Sequence, residues 1–226
     1  MMIRVLFCVL LSGILCQVQA QQLAVPEYLL YTGKSYVEYP PVQVGSPTYK
    51  NFNFDSDTDL SYHGQHYAGR MLIYDLVLDE VVIFHPEKDI PLILPKEWVD
   101  GFVIKQDTFV NLNTQGWSGL PSNGYYHKYY NSGDLLCFAS YSKVLKDEAH
   151  QGGRSRVFNE TIRYFVRTNN LEPFQEVSKL RQLLRLDPEN RRKNRRALYN
   201  MGLHTKDKLG EAIVLVLSNM NQDTVE

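Results

Sequence analysis

Between Tyr49 and Leu145 apolar and polar residues alternate in short runs broken by turn residues, the period-two signature of β-strands. Leu72, Tyr74, Leu76 and Leu78 share one face of such a run. Met71, Ile73 and Val77 share the other, with Asp75 the single charge among them. The pattern predicts a strand over 71–78, a tight turn at Asp79-Glu80 and a return strand over 81–84. A sheet apolar on both faces must be covered twice, or be closed into a barrel or sandwich. The same reasoning places a turn at Tyr62-His63-Gly64-Gln65 and pairs 99–105 with 108–112 across Gln106-Asp107. It also pairs 125–130 with 135–141 across Asn131-Ser132-Gly133-Asp134. Pro86, Pro91 and Pro95 divide the intervening stretch into edge-like segments. Residues 115–124 read as an exposed loop and the polar stretch 146–155 as a mobile connection. Strand character returns at 161–167 and 171–177.

The period then changes. Leu180, Leu183 and Leu184 fall on one side of a short helix capped by Ser178, so the pattern predicts a helix over 179–186. Asp187-Pro188-Glu189 opens a second helix over 188–201, which Gly202 stops. Thr205 opens a third over 206–220, where Leu209, Ala212, Ile213, Val216, Leu217 and Met220 recur at three- and four-residue intervals. The expected fold class is α+β: an antiparallel β-sheet or barrel-like β body over 49–177, followed by a C-terminal set of short helices over 178–226. Residues 21–48 form an N-terminal extension. No internal repeat of solenoid period and no low-complexity tract occurs.

The first twenty residues read as an export signal. Arg4 is their only charge, an apolar run from Val5 to Leu15 follows, and Val18-Gln19-Ala20 offers small residues for cleavage. That run is shorter than the roughly 20 apolar residues a bilayer-spanning helix needs, and no run of that length appears later. The expected location is therefore the periplasm or outer cell envelope, with no transmembrane helix in the mature chain. Without Arg4 the chain carries 23 Lys and Arg against 25 Asp and Glu, which gives no electrostatic ground for a nucleic-acid partner. Cys8 and Cys16 lie in the signal. The mature chain keeps Cys137 alone, so its stability must come from its core rather than from an internal disulfide. Lipidation at Cys16 is disfavoured by Leu15, where a small residue is usual.

Candidate chemistry is sparse. Asp55-x-Asp57-x-Asp59 alternates carboxylates as a calcium loop does, but Leu60 and His66 stand where an EF-hand requires Gly and Glu. Asp55, Asp57 and Asp59 remain candidate ligands of an irregular metal loop. His63-x-x-His66 is flanked by strands and reads as a hairpin turn. Trp117, Tyr125, Tyr126, Tyr129 and Tyr130 form an aromatic cluster that could present platforms for sugar rings or a partner protein. Aromatic residues are also favoured in strands for packing alone. Arg191, Arg192, Lys193, Arg195 and Arg196 make the only dense basic run, a solvated helix face or a seat for an anionic partner. Ser118 lacks the second glycine of a nucleophile elbow, and Cys137 lies in an apolar strand. No phosphate-cradling glycine loop or HExxH occurs, so no catalytic residue and no cofactor are expected.

Tyr62-His63-Gly64 through Tyr67, Leu72-Ile73-Tyr74-Asp75-Leu76, residues 102–109, Tyr125-Tyr126, Gly133-Asp134-Leu135-Leu136, Lys143 and the helix over 191–203 together resemble an uncharacterised exported β-rich protein family of Bacteroidetes-type Gram-negative bacteria. The resemblance implies a location and an architecture, and no chemistry. The function expected is an exported cell-envelope protein that binds or scaffolds without catalysis, with a protein or glycan partner. The alternatives are an envelope hydrolase using dispersed carboxylates such as Asp75, Asp100 and Asp107, and a carrier of an apolar ligand. A cleft of carboxyls would favour the hydrolase, a large apolar cavity the carrier, and exposed aromatics the binding protein.

Overall fold

A computed structural model describes residues 26–39, 45–54, 57–112, 116–150 and 153–223. The export signal over 1–20 and Asp55 lie outside the described residues. The described strands are β1 (Lys34–Ser35), β2 (Thr58–Tyr62), β3 (Gln65–Ala68), β4 (Leu72–Asp75), β5 (Glu80–His85), β6 (Ile90–Ile93), β7 (Val99–Ile104), β8 (Asp107–Leu112), β9 (Gly124–Ser132), β10 (Leu135–His150), β11 (Gly153–Arg167) and β12 (Gln175–Val177). Three helices follow: α1 (Leu180–Leu186), α2 (Arg191–Asn200) and α3 (Leu209–Asp223). The strands form two antiparallel sheets, one of four in the order β1-β6-β5-β4 and one of eight in the order β12-β11-β10-β9-β8-β7-β2-β3.

The small sheet lies on one face of the large one. Tyr74 of β4 brings its ring edge-on to Phe102, Phe109 and Tyr125 at centroid distances of 5.2, 5.3 and 5.5 Å, a geometry that aligns ring edges with the negative faces of their neighbours. The helices cover the rest of that face. Leu183, Leu184, Leu198, Ile213, Val216 and Leu217 are buried in the same core as the sheets. Gly210 of α3 sits where a Cβ would collide with the hydroxyls of Tyr129 and Tyr164, so the helix approaches the sheet through a position without a side chain. A second, smaller core of Leu112, Leu120, Tyr126, Phe138, Phe165 and Phe174 fills the opposite face.

The large sheet is open, because β3 at one edge and β12 at the other do not pair. The barrel-like expectation is thereby corrected. The strands are indeed apolar on both faces, but layers rather than closure answer that requirement: the small sheet and helices cover one face, and residues 116–120 with Phe174 cover the other.

Turn chemistry accounts for most register details. His63 and Gly64 both adopt positive φ (54° and 73°), the two-residue turn that matches the twist of paired strands. The run over 71–78 ends as a strand at Asp75, because its Oδ1 accepts the Val77 and Leu78 N–H groups (2.8 and 3.0 Å) and curls the chain into a turn. The stretch 146–155, expected to be a mobile connection, is the end of the β10–β11 ribbon, which pairs from Leu136↔Arg167 to His150↔Gly153. Its polarity reflects a ribbon running beyond β9, which pairs only with 135–139. The helices begin and end within a few residues of the expected positions. Gly202 (φ 67°) ends α2, with the Leu203 N–H returning to the Leu198 carbonyl at 2.8 Å.

Candidate functional site

Beside the small sheet lies a cleft of about 450 Å3 walled by Tyr36, Tyr39, Phe54 and Phe158, with Glu38, Ser46, Thr48 and Asn53 among its polar groups. Tyr36 follows β1 and is held twice. Its N–H donates to the Pro91 carbonyl (3.0 Å), and its hydroxyl donates to Asp75 Oδ2 (2.8 Å). Asp75 is fully buried and also receives the two turn N–H groups, so one carboxylate ties the cleft floor to the β4–β5 turn. Phe158 reaches in from the β11 ribbon and meets the Tyr39 ring edge-on at 5.5 Å.

The opposite wall, residues 45–54, is a strained turn fixed from below. Lys50 and Asn51 both occupy the left-handed region (φ 50° and 53°), which costs free energy for residues other than glycine. The buried Lys143 ammonium opposes that cost. It donates to the carbonyls of Ser46 (3.0 Å) and Thr48 (2.7 Å) and to Asn51 Oδ1 (3.3 Å), and lies 3.6 Å from Glu160. Burial lowers the Lys143 pKa, and the Glu160 carboxylate partly restores it.

Burial first, and then the Asp75 carboxylate through its hydrogen bond and its charge, push the Tyr36 and Tyr39 hydroxyls above the usual phenol range, so both stay protonated at neutral pH. Tyr36 spends its proton on Asp75. The Tyr39 hydroxyl is buried as well, within the influence of the same carboxylate. The arrangement offers apolar ring faces, the exposed Glu38 and the exposed Asn53 amide. That set recognises a ligand and supplies no nucleophile. Hollows of about 530, 610 and 700 Å3 elsewhere bring together no comparable set of four aromatic rings.

A second polar cluster runs from the core to the surface, where Lys50 is exposed. Tyr49 donates to Asp107 Oδ2 (3.1 Å), Lys50 donates to the same oxygen (2.7 Å), His127 Nε2 lies 3.5 Å from Asp107 Oδ1, and Tyr141 meets His127 Nδ1 at 3.2 Å. Burial lowers the His127 pKa, Asp107 opposes this, and Lys50 reinforces it. The His127 ring is buried, packed against Phe109 and Tyr129 at 5.2 and 5.3 Å, and lines none of the hollows above. Asp100, the third acid singled out from sequence, accepts the Gly64 N–H at 2.6 Å on the surface. Asp75, Asp100 and Asp107 thus each serve separate partners.

The structure separates the aromatic cluster expected as one binding patch. Tyr125 and Tyr126 are buried on opposite faces of β9, the first in the large core and the second in the small one, as strand alternation requires. A bulge near Tyr129, where the register shifts between Cys137 and Phe138, turns both Tyr129 and Tyr130 toward the large core. Trp117 packs on Phe138 and Phe174 at 5.6 and 6.0 Å, beneath the Arg167 guanidinium. The five are thus divided between the two cores, with Tyr125 and Tyr126 buried and Trp117, Tyr129 and Tyr130 half-buried. Of the metal candidates, Asp59 accepts the Gly69 N–H (3.1 Å) and Asp57 is exposed, with its carbonyl accepting from Lys105 (3.0 Å). Among the described residues no three His, Cys, Asp or Glu side chains gather closely enough to hold a metal ion. Cys137 is wholly buried, and burial raises its thiol pKa.

No protein-family model, curated protein or solved structure matches the chain. The cleft residues Tyr36, Tyr39, Phe54 and Phe158 escaped the sequence reading because they come from three distant segments. The local signal available was the pair of aromatic spacings Tyr36-x-x-Tyr39 and Phe52-x-Phe54 beside turn residues.

Proposed function

We propose that this chain is an exported, non-enzymatic cell-envelope binding protein, and that the cleft between the small sheet and the β10–β11 ribbon seats its ligand. The observation that carries the reading is a concave site with four aromatic walls and exposed polar groups at Glu38 and Asn53. Ring faces accept the C–H faces of a sugar, while the exposed Glu38 and Asn53 supply polar groups in the same lining for its hydroxyl or amino groups. Glu38 is the charged side chain in the lining, so the ligand class is a neutral or amino-bearing oligosaccharide. Export rests on the pattern of residues 1–20, and the envelope setting on the resemblance carried by the strand and turn positions. The packing of both faces of the large sheet leaves its apolar interior filled, which favours binding at the cleft over carriage of an apolar ligand between strands.

The test is binding of labelled protein to an array of neutral, amino-bearing and acidic oligosaccharides, run beside Phe158→Ala and Asn53→Ala. Selective capture by neutral or amino-bearing members, weakened in both variants, supports the reading. Capture unaffected by either variant, or confined to acidic members, contradicts it. N-terminal sequencing of the processed protein should begin at Gln21, and retention of Arg4 would remove the export claim.

A further inference from the structure

The charges of this chain are segregated. From Ser178 to Glu226 it carries ten Lys and Arg against six Asp and Glu, while the remaining 14 Lys and Arg face 19 Asp and Glu. The excess concentrates on α2, where Asn194 and Leu198 are buried and Arg191, Arg192, Lys193, Arg195 and Arg196 are all exposed. Helical spacing puts Arg192, Arg195 and Arg196 on the outward side, around Tyr199, which lies seven, four and three residues further along the helix. Tyr199 is 57% exposed and its ring stacks on His204 at 4.5 Å and 10°. Met201, 60% exposed, follows at the helix end. Among the described residues, Arg191, Arg192, Arg195 and Arg196 enter no ion pair and no hydrogen bond to a side chain.

We propose that the outward face of α2 is a docking surface for a bilayer bearing anionic headgroups. No residue of α2 lines any of the hollows described above, so the face suits a plane rather than a discrete small anion, which would need a concave cradle. Unpaired guanidiniums supply phosphate-matching donors. The Tyr199–His204 stack and Met201 add an amphipathic edge suited to headgroup depth, the combination by which basic helices lie on membranes. No described helix is long and apolar enough to cross a membrane, so the contact is peripheral.

Flotation of the purified protein with phosphatidylglycerol/phosphatidylcholine vesicles, against phosphatidylcholine alone, tests the proposal at low and high salt. The expected result is binding to the anionic vesicles that falls with added salt and drops on the order of a hundredfold in the Arg192→Gln/Arg195→Gln/Arg196→Gln variant. Tyr199→Ala should weaken it further without altering the salt slope. If the triple variant does not fold, Arg196→Gln alone should still lower binding severalfold. Absence of binding to anionic vesicles, binding that the arginine variants do not change, or retention on heparin without vesicle binding would overturn the proposal. Phe158→Ala should leave flotation intact, which keeps this test independent of the cleft reading.

Discussion

Replacing Lys143 by Met should destabilise the protein by about 2 to 4 kcal/mol. The substitution keeps most of the aliphatic stem and removes the ammonium that donates to Ser46 O, Thr48 O and Asn51 Oδ1. A hydrogen bond to a charged group contributes roughly 1.5 to 3 kcal/mol net, and stranding a buried carbonyl costs about 1 to 3 kcal/mol. Thr48 is 4% exposed, so its carbonyl has little access to replacement water. The Glu160 contact adds little, about 1 kcal/mol or less, because that side chain is 35% exposed. Relief of the Lys143 desolvation penalty works in the opposite direction, which keeps the total below the simple sum of three bonds. Urea unfolding at pH 7 measures the difference, with an unchanged denaturant slope indicating that both states are otherwise comparable. The pH dependence supplies an internal check. Because burial lowers the folded-state Lys143 pKa, the folded protein binds fewer protons than the unfolded chain between that value and the ordinary 10.5. Stability of the native protein relative to Lys143→Met should therefore rise with pH across that alkaline window. A change below about 0.5 kcal/mol, within the range of ordinary surface substitutions, would refute the claim that Lys143 holds the cleft wall.

Trp117→Ala should cost about 2 kcal/mol of stability, less than the roughly 3 to 5 kcal/mol for a fully buried Trp because the ring is half-buried. Thermal melts beside array binding check this, and intact stability with lost binding would return Trp117 to a ligand surface. The His127 pKa is depressed in the folded state, so its contribution to stability is present above about pH 6.5 and is lost as pH falls through the folded value. The loss should approach a limiting slope of about 1.4 kcal/mol per pH unit and should be missing in His127→Gln, whose remaining neighbours Asp107, Lys50, Tyr49 and Tyr141 are unchanged. Identical acid profiles for the two proteins would show that His127 titrates as it does in the unfolded chain.

Local physics made much of the architecture legible from sequence. Gly64, Gly133 and Gly202 supply positive φ where turns and a helix end need it, and the leucine spacing of α1 to α3 encodes their buried sides. Asp75 misled the reading because the run around it stays apolar. Only the structure shows that its carboxylate captures two N–H groups and ends the strand. Closure is likewise invisible to a period-two pattern, which reports that both faces are covered and not by what. The aromatic clusters illustrate the same limit from the other side. Tyr125 and Tyr126 are neighbours in sequence and point into different cores, whereas Tyr39 and Phe158 are remote in sequence and touch at 5.5 Å. Adjacency along a strand alternates sides, and adjacency in space depends on which segments the topology folds together.

An aromatic-region NMR titration with diacetylchitobiose, an amino-sugar disaccharide, tests the central claim of ligand binding at the cleft most directly. The account predicts saturable shifts of the Tyr39, Phe54 and Phe158 ring signals while Trp117, Tyr125 and Tyr126 stay unmoved. Shifts centred on Trp117 and Phe174, or unchanged cleft rings at millimolar saccharide, would contradict it.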